Sequence, residues 1–359
     1  MKKISAITLS FSFTGCFLGA GYVSGQELYQ FFGSFGDNGV VGIVLAAALL
    51  GALCGLLSRL AYRTGISDID TIVAGPDNKI LIFIFGVGEF IMLFGTYVVM
   101  AAAAGALVKK MTGVVYSDII GSLIFCFIMS TLAIRGINGL VKIYSAIVPV
   151  LVVCTVATAV ITVASHGFSE IVFVKAEATN PLISNWLVGS LTFVAYNFFC
   201  AVGVITPLGV NIKELKTTVF GMFYGALMLL LVALSVLSTL AVLPFTTSEQ
   251  LPMLAAAETI SPYYMYFYAF LLMLAISGAS LSCLVPTAAY LAEHFEVSRK
   301  HGAITTYLAS FAAFGLSCFG FSELVGTVFP VFGYFSIIAI CSMIVHYIRV
   351  RIRDKKSET

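Results

Sequence analysis

The stretch that decides the fold is Gly19-Ala20-Gly21, followed closely by Gly25-Gln26-Glu27, because it interrupts a run that is otherwise apolar from Ile4 to Phe32. Each glycine costs about 1 kcal/mol of helix stability relative to alanine in an exposed helix, and an acid inside a membrane span costs more. Small residues also let membrane helices pack closely, so packing alone would explain isolated glycines. The cluster with an amide and an acid favours a true break in the helix. Many secondary transporters hold substrate and ions at such breaks.

The composition of the chain is that of a polytopic membrane protein. Of its 359 residues, 60% are hydrophobic and 10% are charged, and the mean hydropathy is +1.05. A soluble protein carries about 25% charged residues. We therefore predict an all-α membrane protein with a single transmembrane domain over residues 1–359, whose partners are the lipid bilayer and a small-molecule solute. No basic stripe suggests nucleic acid, and the eight cysteines form no C-x-x-C pair that would suggest a metal site.

Ten apolar runs are each long enough to cross a bilayer, which takes roughly 20 residues. Basic residues concentrate on the cytoplasmic side of membrane proteins. With a cytoplasmic N-terminus, only Lys109, Lys110 and Lys175 of the 19 lysines and arginines would lie outside. We predict a multi-pass inner-membrane protein with both termini in the cytoplasm. The runs cover residues 4–32, 38–62, 80–108, 117–134, 137–165, 183–207, 217–243, 263–293, 302–319 and 323–348.

Ten spans divide into five plus five of opposite orientation, which is the arrangement of an inverted repeat. Two long connections support this division, because residues 64–78 and 246–261 follow spans 2 and 7 and each has room for a short helix. Span 6 then corresponds to span 1. Both are predicted to be broken, the sixth near Tyr196-Asn197. Repeat one would cover residues 4–165, repeat two residues 183–348, and a cytoplasmic tail residues 349–359.

Two acidic residues lie inside the predicted spans, Glu27 in span 1 and Glu89 in span 3. An ionised residue at a helix centre costs about 2.5–3.5 kcal/mol, so such residues face the bundle interior or a cavity, or are protonated. Glu89 is interpreted as a proton or cation site, with an interhelical hydrogen bond as the alternative. Glu27 is interpreted either as a gate near the outer mouth or as a contact to the solute.

Polar side chains also mark spans 5 and 8. Span 8 carries the hydroxyls of Ser277 and Ser280 ahead of Pro286. Serines in membrane helices often bond their own backbone, so a structural role and an ion site are both open. Asn138 and Lys142 open span 5, where Lys142 either reaches the membrane surface or forms part of an inner gate.

A family resemblance rests on the segment Gly19-Ala20-Gly21-Tyr22-Val23-Ser24-Gly25-Gln26-Glu27-Leu28-Tyr29-Gln30-Phe31-Phe32. It resembles the first-helix signature of the YkvI-like family of bacterial membrane proteins. Tyr196-Asn197 and Pro207-Leu208-Gly209 of span 6 resemble the same family. That family is regarded as amino-acid permeases and belongs to the amino acid–polyamine–organocation superfamily, whose fold is the five-plus-five inverted repeat of the LeuT type. The resemblance covers nearly the whole chain and implies this fold and amino-acid transport.

A second resemblance is to sodium-coupled neurotransmitter-type symporters. Pro286, followed by Ser298-Arg299-Lys300-His301, is similar to their eighth helix and the loop after it. Anchored on this proline, the resemblance puts their sodium-binding hydroxyl residues at Gly278-Ala279, which carry no hydroxyl. Ser277 and Ser280 flank those positions instead, so the sequence departs from the pattern.

No cofactor is expected beyond a coupling ion, and its identity stays open between Na+ and H+. A sodium ion would use Ser277 and Ser280 of span 8. A proton would be carried by a carboxyl inside the membrane, for which Glu89 and Glu27 are the candidates.

Together these features predict a secondary active transporter, an ion-coupled symporter of a small amino-acid-like solute, with no catalytic residues. The solute carboxylate would meet N–H groups near Gly21 and Gly25, and its side chain would lie against Phe193 and Tyr196. Spans 1, 2, 6 and 7 would rock against spans 3, 4, 8 and 9, with residues 246–261 as an outer lid. The predicted substrate-binding residues are Gly19, Ala20, Gly21, Gly25, Phe193, Tyr196 and Asn197.

Other classes of protein were weighed against this prediction. A solute-sensing receptor subunit on a transporter scaffold, which binds without transporting, is the alternative function. An enzyme would need clustered catalytic groups, whereas the four histidines lie in loops or at span ends. No repeated filter sequence supports a channel. Drug/metabolite exporters also have ten spans, but their helices are shorter than the longest runs here.

Overall fold

The fold was analysed in a computed structural model, which describes residues 5–76, 78–135, 140–173, 180–212 and 214–357. Nearly all of these residues are helical. Asn138, assigned above to the start of span 5, lies outside the described residues, as does the side chain of Lys142. The helices are α1 Ala6–Phe17, α2 Ala20–Ser24, α3 Gln26–Leu28, α4 Asp37–Thr64, α5 Ile69–Ala74, α6 Lys79–Thr112, α7 Ser117–Ile134, α8 Leu140–His166, α9 Trp186–Val210, α10 Leu215–Val242, α11 Pro252–Ile260, α12 Pro262–His294, α13 Glu296–Lys300, α14 Gly302–Ser317 and α15 Phe321–Ser357.

Within the described ranges, eight helices are long and apolar enough to cross a membrane: α4, α6, α7, α8, α9, α10, α12 and α15. Two further apolar helices, α1 and α14, are shorter. Eight of the ten predicted spans thus coincide with a helix long enough to cross a membrane, and the first and ninth coincide with the two shorter helices. The first is short because its helix stops before Gly19, and the ninth ends shortly before Gly320, whose φ of +94° is incompatible with a continuing helix.

The first apolar segment is interrupted twice. The N–H of Gly19 donates to the carbonyl of Phe17 at 2.7 Å, so it does not bond Gly15, its acceptor in a continuous helix. Gly25 then adopts the left-handed conformation, with φ +86° and ψ −12°, which favours glycine. A π-helical turn follows at Tyr29–Gly33. The glycine cluster therefore interrupts this helix as the sequence predicts.

The sixth span differs from the prediction, because α9 is a continuous helix from Trp186 to Val210. No glycine lies at Tyr196-Asn197 to release the backbone. The Asn197 amide nitrogen instead donates to the carbonyl of Phe193, one turn earlier, at 3.0 Å. An amide bonded to its own helix supports continuity at this point. Asn197 nevertheless keeps its buried position among aromatic rings.

Short helices occupy both long connections, as the sequence predicts, and they mark opposite ends of the bundle. At one end α5 packs beside α15, where Ser342 and His346 hydrogen-bond the carbonyls of Val73 and Ile72 at 2.9 and 2.7 Å. At the other end a 3-10 turn at Pro244–Ser248 and α11 lie beside the far end of α6. We refer to these as the α5 end and the α11 end.

The helices share a core that surrounds the interrupted first segment. Helix α9 packs between α4 and α15, while α1 packs along α10. Tyr268 of α12 is fully buried and donates to the carbonyl of Val23 at 2.9 Å, and its hydroxyl also lies 3.2 Å from that of Thr155 on α8. This contact supplies a donor to a short helix that lies between two breaks. The first segment is thus held from several sides at mid-bundle.

Candidate functional site

The centre of the candidate site is the side chain of Glu27 in α3, which is 5% exposed. Its carboxylate accepts a hydrogen bond from the hydroxyl of Tyr196 and a longer one, of 3.5 Å, from the amide of Asn197. Both donors lie on α9. The structure therefore brings together three residues that the sequence assigned to the site, and it makes Glu27 a central group of the cluster.

The Glu27 carboxylate lies directly against Gly21. A β-carbon at position 21 would lie 2.6 Å from Oε2 and 3.1 Å from Cβ of Glu27, so a larger residue there would require the Glu27 side chain to shift. The sequence analysis placed the carboxylate of the solute near the N–H groups of Gly21 and Gly25. In the structure a carboxylate of the protein itself occupies the space beside Gly21, and the N–H of Gly25 donates to the carbonyl of Tyr22 at 3.3 Å. Gly19 and Ala20 lie next to this point, where α2 begins.

Aromatic rings enclose the partners of Glu27. The ring of Tyr196 stacks on that of Phe329 from α15, with centroids 4.8 Å apart and planes 8° apart. Phe31 lies 5.7 Å from Tyr196 and 5.4 Å from Phe193 between ring centroids. Phe193 and Tyr196, the two rings that the sequence analysis placed beside the solute, lie 5.8 Å apart between centroids. Sequence reasoning missed Phe31 and Phe329, because an aromatic residue in an apolar span carries no sign of which face it occupies.

A second link that the sequence did not reveal joins the first segment to α15. The amide nitrogen of Gln26 donates to the hydroxyl of Ser322 at 2.6 Å. Nearby, Asn180 donates to the carbonyl of Gly326 at 2.8 Å and approaches the amide oxygen of Gln30 at 3.4 Å. The only available signal was the pair of amide side chains in the first span. These bonds fix the part of the chain beyond Gly25 against the last helix.

Glu89 lies apart from Glu27, towards the α5 end. It lines a cavity of about 520 Å³ together with Asp70, Lys79, Glu293 and His294. Glu89 is only partly buried, so the structure assigns it to the wall of a polar cavity. Such a cavity has the size of sites that hold small molecules.

Helix α9 takes part in both the Glu27 site and the cavity. Cys200 follows Asn197 by one helical turn, and Gly203, one turn further, lines the same cavity as Glu89. Helix α9 thus contributes Asn197 to the Glu27 site and Gly203 to the wall of the cavity.

The two serines of α12 have different surroundings. The Ser277 hydroxyl donates to the carbonyl of Met273 in its own helix at 2.8 Å, which is the structural role left open above. The Ser280 hydroxyl is fully buried and has no hydrogen-bond partner among the described residues. Of the two, Ser280 is the one with a free hydroxyl to offer an ion.

The α11 end of the bundle is closed by ion pairs. Lys110, near the end of α6, lies 2.9 Å from Glu258 of α11 and 3.8 Å from Glu249. The neighbouring Lys109 pairs with Asp118 of α7 at 2.9 Å instead. A pocket at this end has a volume of only about 40 Å³, against about 520 Å³ at the α5 end.

The comparisons with known proteins agree with this architecture. No protein-family model matches the sequence. Two Bacillus subtilis (strain 168) proteins are similar to it: "uncharacterized membrane protein YkvI", 25% identical with 94% of each chain covered, and "uncharacterized protein YyaD", 22% identical with 92% of this chain and 94% of the relative covered. The similarity to YkvI agrees with the resemblance carried by residues 19–32.

Solved structures match over almost the full length of the chain. Mhp1 in an inward-facing conformation gives a TM-score of 0.73 at 15% identity, covering 98% of this chain and 78% of Mhp1. MhsT in complex with L-phenylalanine gives a TM-score of 0.66 at 14% identity, and the match covers 98% of this chain and 99% of MhsT. A manganese transporter of Eremococcus coleocola gives a TM-score of 0.56 at 13% identity, and the match covers 94% of this chain and 78% of the transporter. The chain is thus a membrane protein whose fold matches that of LeuT-type transporters.

Proposed function

We propose that this protein is a secondary active transporter that carries a small amino-acid-like solute across the membrane by alternating access. The observation that supports this most directly is the doubly interrupted first segment, which presents the carboxylate of Glu27 to Tyr196 and Asn197 at mid-bundle. Interrupted helices at the centre of a transporter fold are where solutes bind. Related folds hold small molecules, with L-phenylalanine in MhsT and bromovinylhydantoin in Mhp1.

The solute would bind between the first segment and α9. Its polar end would meet Glu27 and Asn197, and its apolar part would replace contacts among Phe193, Tyr196 and Phe31. In the present conformation these rings pack against one another. Entry of a solute would therefore require them to separate, which is consistent with a site that opens and closes.

The two ends of the bundle support alternating access. A large cavity lies at the α5 end, and the ion pairs of Lys110 close the α11 end. With both termini in the cytoplasm, the α5 end faces inward and this conformation is inward-facing. We propose a five-plus-five inverted repeat over residues 4–165 and 183–348 as the basis of the exchange between the two conformations.

Ion coupling has two candidate sites. For H+, Glu89 in the cavity wall and the buried Glu27 would carry the proton. For Na+, the free hydroxyl of Ser280 would act with backbone carbonyls released at the first break, such as that of Gly15. Hydroxyl and carbonyl oxygens are suitable ligands for such a cation.

The experiment that tests this proposal is uptake by purified protein in liposomes. Radiolabelled amino acids and amines would be supplied under a proton gradient, a sodium gradient, or neither. We expect accumulation under one of the gradients and none in liposomes without protein. Glu27→Gln should abolish accumulation, whereas Glu323→Gln, which neutralises an exposed carboxylate on α15, should leave it unchanged.

Two other results would contradict the proposal. Failure to accumulate any of these solutes under either gradient would exclude coupled transport of this class. Saturable binding without accumulation would instead favour a solute-sensing receptor subunit.

A further inference from the structure

We infer that the transported solute carries a protonated amine and no free carboxylate, and that Glu27 is the group that binds the amine. This inference rests on the proposed transport function and deepens it, because it names the chemical class of the solute. It follows from three observations: the neutral partners of Glu27, its contact with Gly21, and the aromatic rings around it.

The first observation is that, among the described residues, the Glu27 carboxylate accepts hydrogen bonds from neutral side chains. Its hydrogen-bond donors are the hydroxyl of Tyr196 and the amide of Asn197. Within the ranges that the structure describes, no lysine, arginine or histidine pairs with it. A buried carboxylate without a cation is costly, and removing it from water is compensated only by a positive partner or a proton. A solute with an ammonium group would provide that partner.

The second observation is the position of the carboxylate relative to the first break. Oε2 of Glu27 occupies the space beside Gly21, where a solute carboxylate would otherwise approach the start of α2. A solute carboxylate at the start of α2 would lie next to the carboxylate of Glu27, and two buried carboxylates in contact would repel each other. The arrangement therefore disfavours a zwitterionic amino acid bound by its carboxylate at Gly21. It favours an amine that resembles the amino acid but lacks the carboxylate.

The third observation is the aromatic wall. Tyr196 and Phe329 form a stacked pair beside the carboxylate, and Phe31 and Phe193 lie against Tyr196 at 5.7 and 5.8 Å between ring centroids. Aromatic faces attract cations, and the face that Tyr196 now turns to Phe329 would become available to an ammonium group once the rings separate to admit the solute. A carboxylate bordered by aromatic rings is therefore suited to an ammonium group attached to an apolar body.

Binding would exchange one hydrogen bond for another. The ammonium would donate to Oε1 of Glu27 in place of the Tyr196 hydroxyl, and Asn197 would keep its second bond to the carbonyl of Phe193. Tyr196 would then be free to turn away from the site. The solute thus replaces a neutral donor with a charged one, which makes the stronger hydrogen bond.

The test uses three probes that differ only in their charged groups: 2-phenylethylamine, L-phenylalanine and 3-phenylpropanoate. Binding to the purified full-length protein would be measured by isothermal titration calorimetry at one pH. We expect the amine to bind at least about tenfold more tightly than the amino acid, and the propanoate not to bind. Glu27→Gln should weaken amine binding by about tenfold or more, since it removes the negative partner.

Matched variants keep the test independent of folding. Glu27→Asp retains the charge and should retain the preference for the amine, even with weaker binding overall. Glu323→Gln, on the exposed side of α15, should bind all three probes as the unmodified protein does. Equal binding of the amine and the amino acid, binding of the propanoate, or no binding of the amine would overturn the inference.

Transport measurements separate this inference from the proposed function. Accumulation of L-phenylalanine in preference to 2-phenylethylamine would support transport and overturn the inference. Binding of the amine that depends on Glu27, without accumulation of any probe, would support the inference about the site and contradict the transport function.

Discussion

At the scale of single residues, the contact between Gly21 and Glu27 shows how a missing side chain positions a charged one. Oε2 of the carboxylate lies 2.6 Å from the position that a β-carbon of residue 21 would take, which is too close for both atoms to be present without a shift. The glycine thus has a steric function besides its effect on the helix. The sequence indicated that this glycine belonged to a break, but it did not indicate that Glu27 would occupy the space that the glycine leaves.

We expect Gly21→Ala to displace the Glu27 carboxylate from α9. Overpacking of a buried site costs about 1–3 kcal/mol, so the thermal unfolding midpoint should fall and solute uptake should be lost. Circular dichroism on heating and liposome uptake would measure these effects. Gly315→Ala is the control, because no atom lies within 4 Å of its β-carbon position and alanine favours helix by about 1 kcal/mol. An unchanged uptake in Gly21→Ala would contradict the steric role.

Tyr268 provides a second prediction at this scale. Its hydroxyl donates to the carbonyl of Val23 between the two breaks, so Tyr268→Phe leaves a buried acceptor without that donor. We expect a loss of about 1 kcal/mol of stability, visible as a lower unfolding midpoint. Tyr263→Phe, in the first turn of the same helix, removes a hydroxyl from a residue that is 87% exposed and should change nothing. Equal midpoints for the two variants would argue against this contact.

At the scale of elements, the first and sixth spans show what can be predicted from local sequence. The break in the first span was predictable, because glycine reaches the left-handed conformation of Gly25 with little strain. The continuity of α9 was not predictable. The Asn197 amide can bond either its own helix or a neighbouring one, and the sequence does not reveal which. It bonds both Phe193 and Glu27. The roles of Phe31 and Phe329 were equally hidden, since they depend on packing between distant segments.

The connection at the α11 end is held to α6 through Lys110. We expect Lys110→Ala to loosen α11, since it removes the partner of both Glu249 and Glu258. Exposed ion pairs contribute about 0–1 kcal/mol, so amide hydrogen exchange in Pro252–Ile260 should accelerate by about threefold. Mass spectrometry would measure this exchange.

A neighbouring lysine serves as the control for this element. Lys109→Ala removes an ion pair to Asp118 of α7 and should leave the exchange of α11 unchanged. If exchange in α11 were the same in both variants, the ion pairs of Lys110 would not be what holds the connection closed.

At the scale of the whole molecule, the two ends of the bundle are unequal. A polar cavity of about 520 Å³ lies at the α5 end, against a pocket of about 40 Å³ at the α11 end. The ten apolar segments and the two helical connections were predictable, because apolar length and turn residues are local properties. The difference in cavity size between the two ends was not predictable, since it depends on how the helices tilt against one another.

The position of Glu89 in the cavity wall leads to a prediction about coupling. We expect Glu89→Gln to abolish accumulation driven by a proton gradient, because an amide cannot carry the proton. Exchange of solute across the membrane without a gradient should persist, because the Glu27 site is intact. Radiolabel counterflow would measure that exchange. Proton-driven accumulation that survives in Glu89→Gln would rule out this residue as the carrier.

The π-helical turn at Tyr29–Gly33 has a consequence for how the first segment moves. Such a turn contains one residue more than a turn of α-helix, and it is a wide loop of backbone held within a helix. This turn is the last of the first segment, so its extra residue could pass into the short loop before α4 and leave an ordinary turn of α-helix behind. The loop that joins the first segment to α4 would then gain one residue of length without any change in the covalent chain.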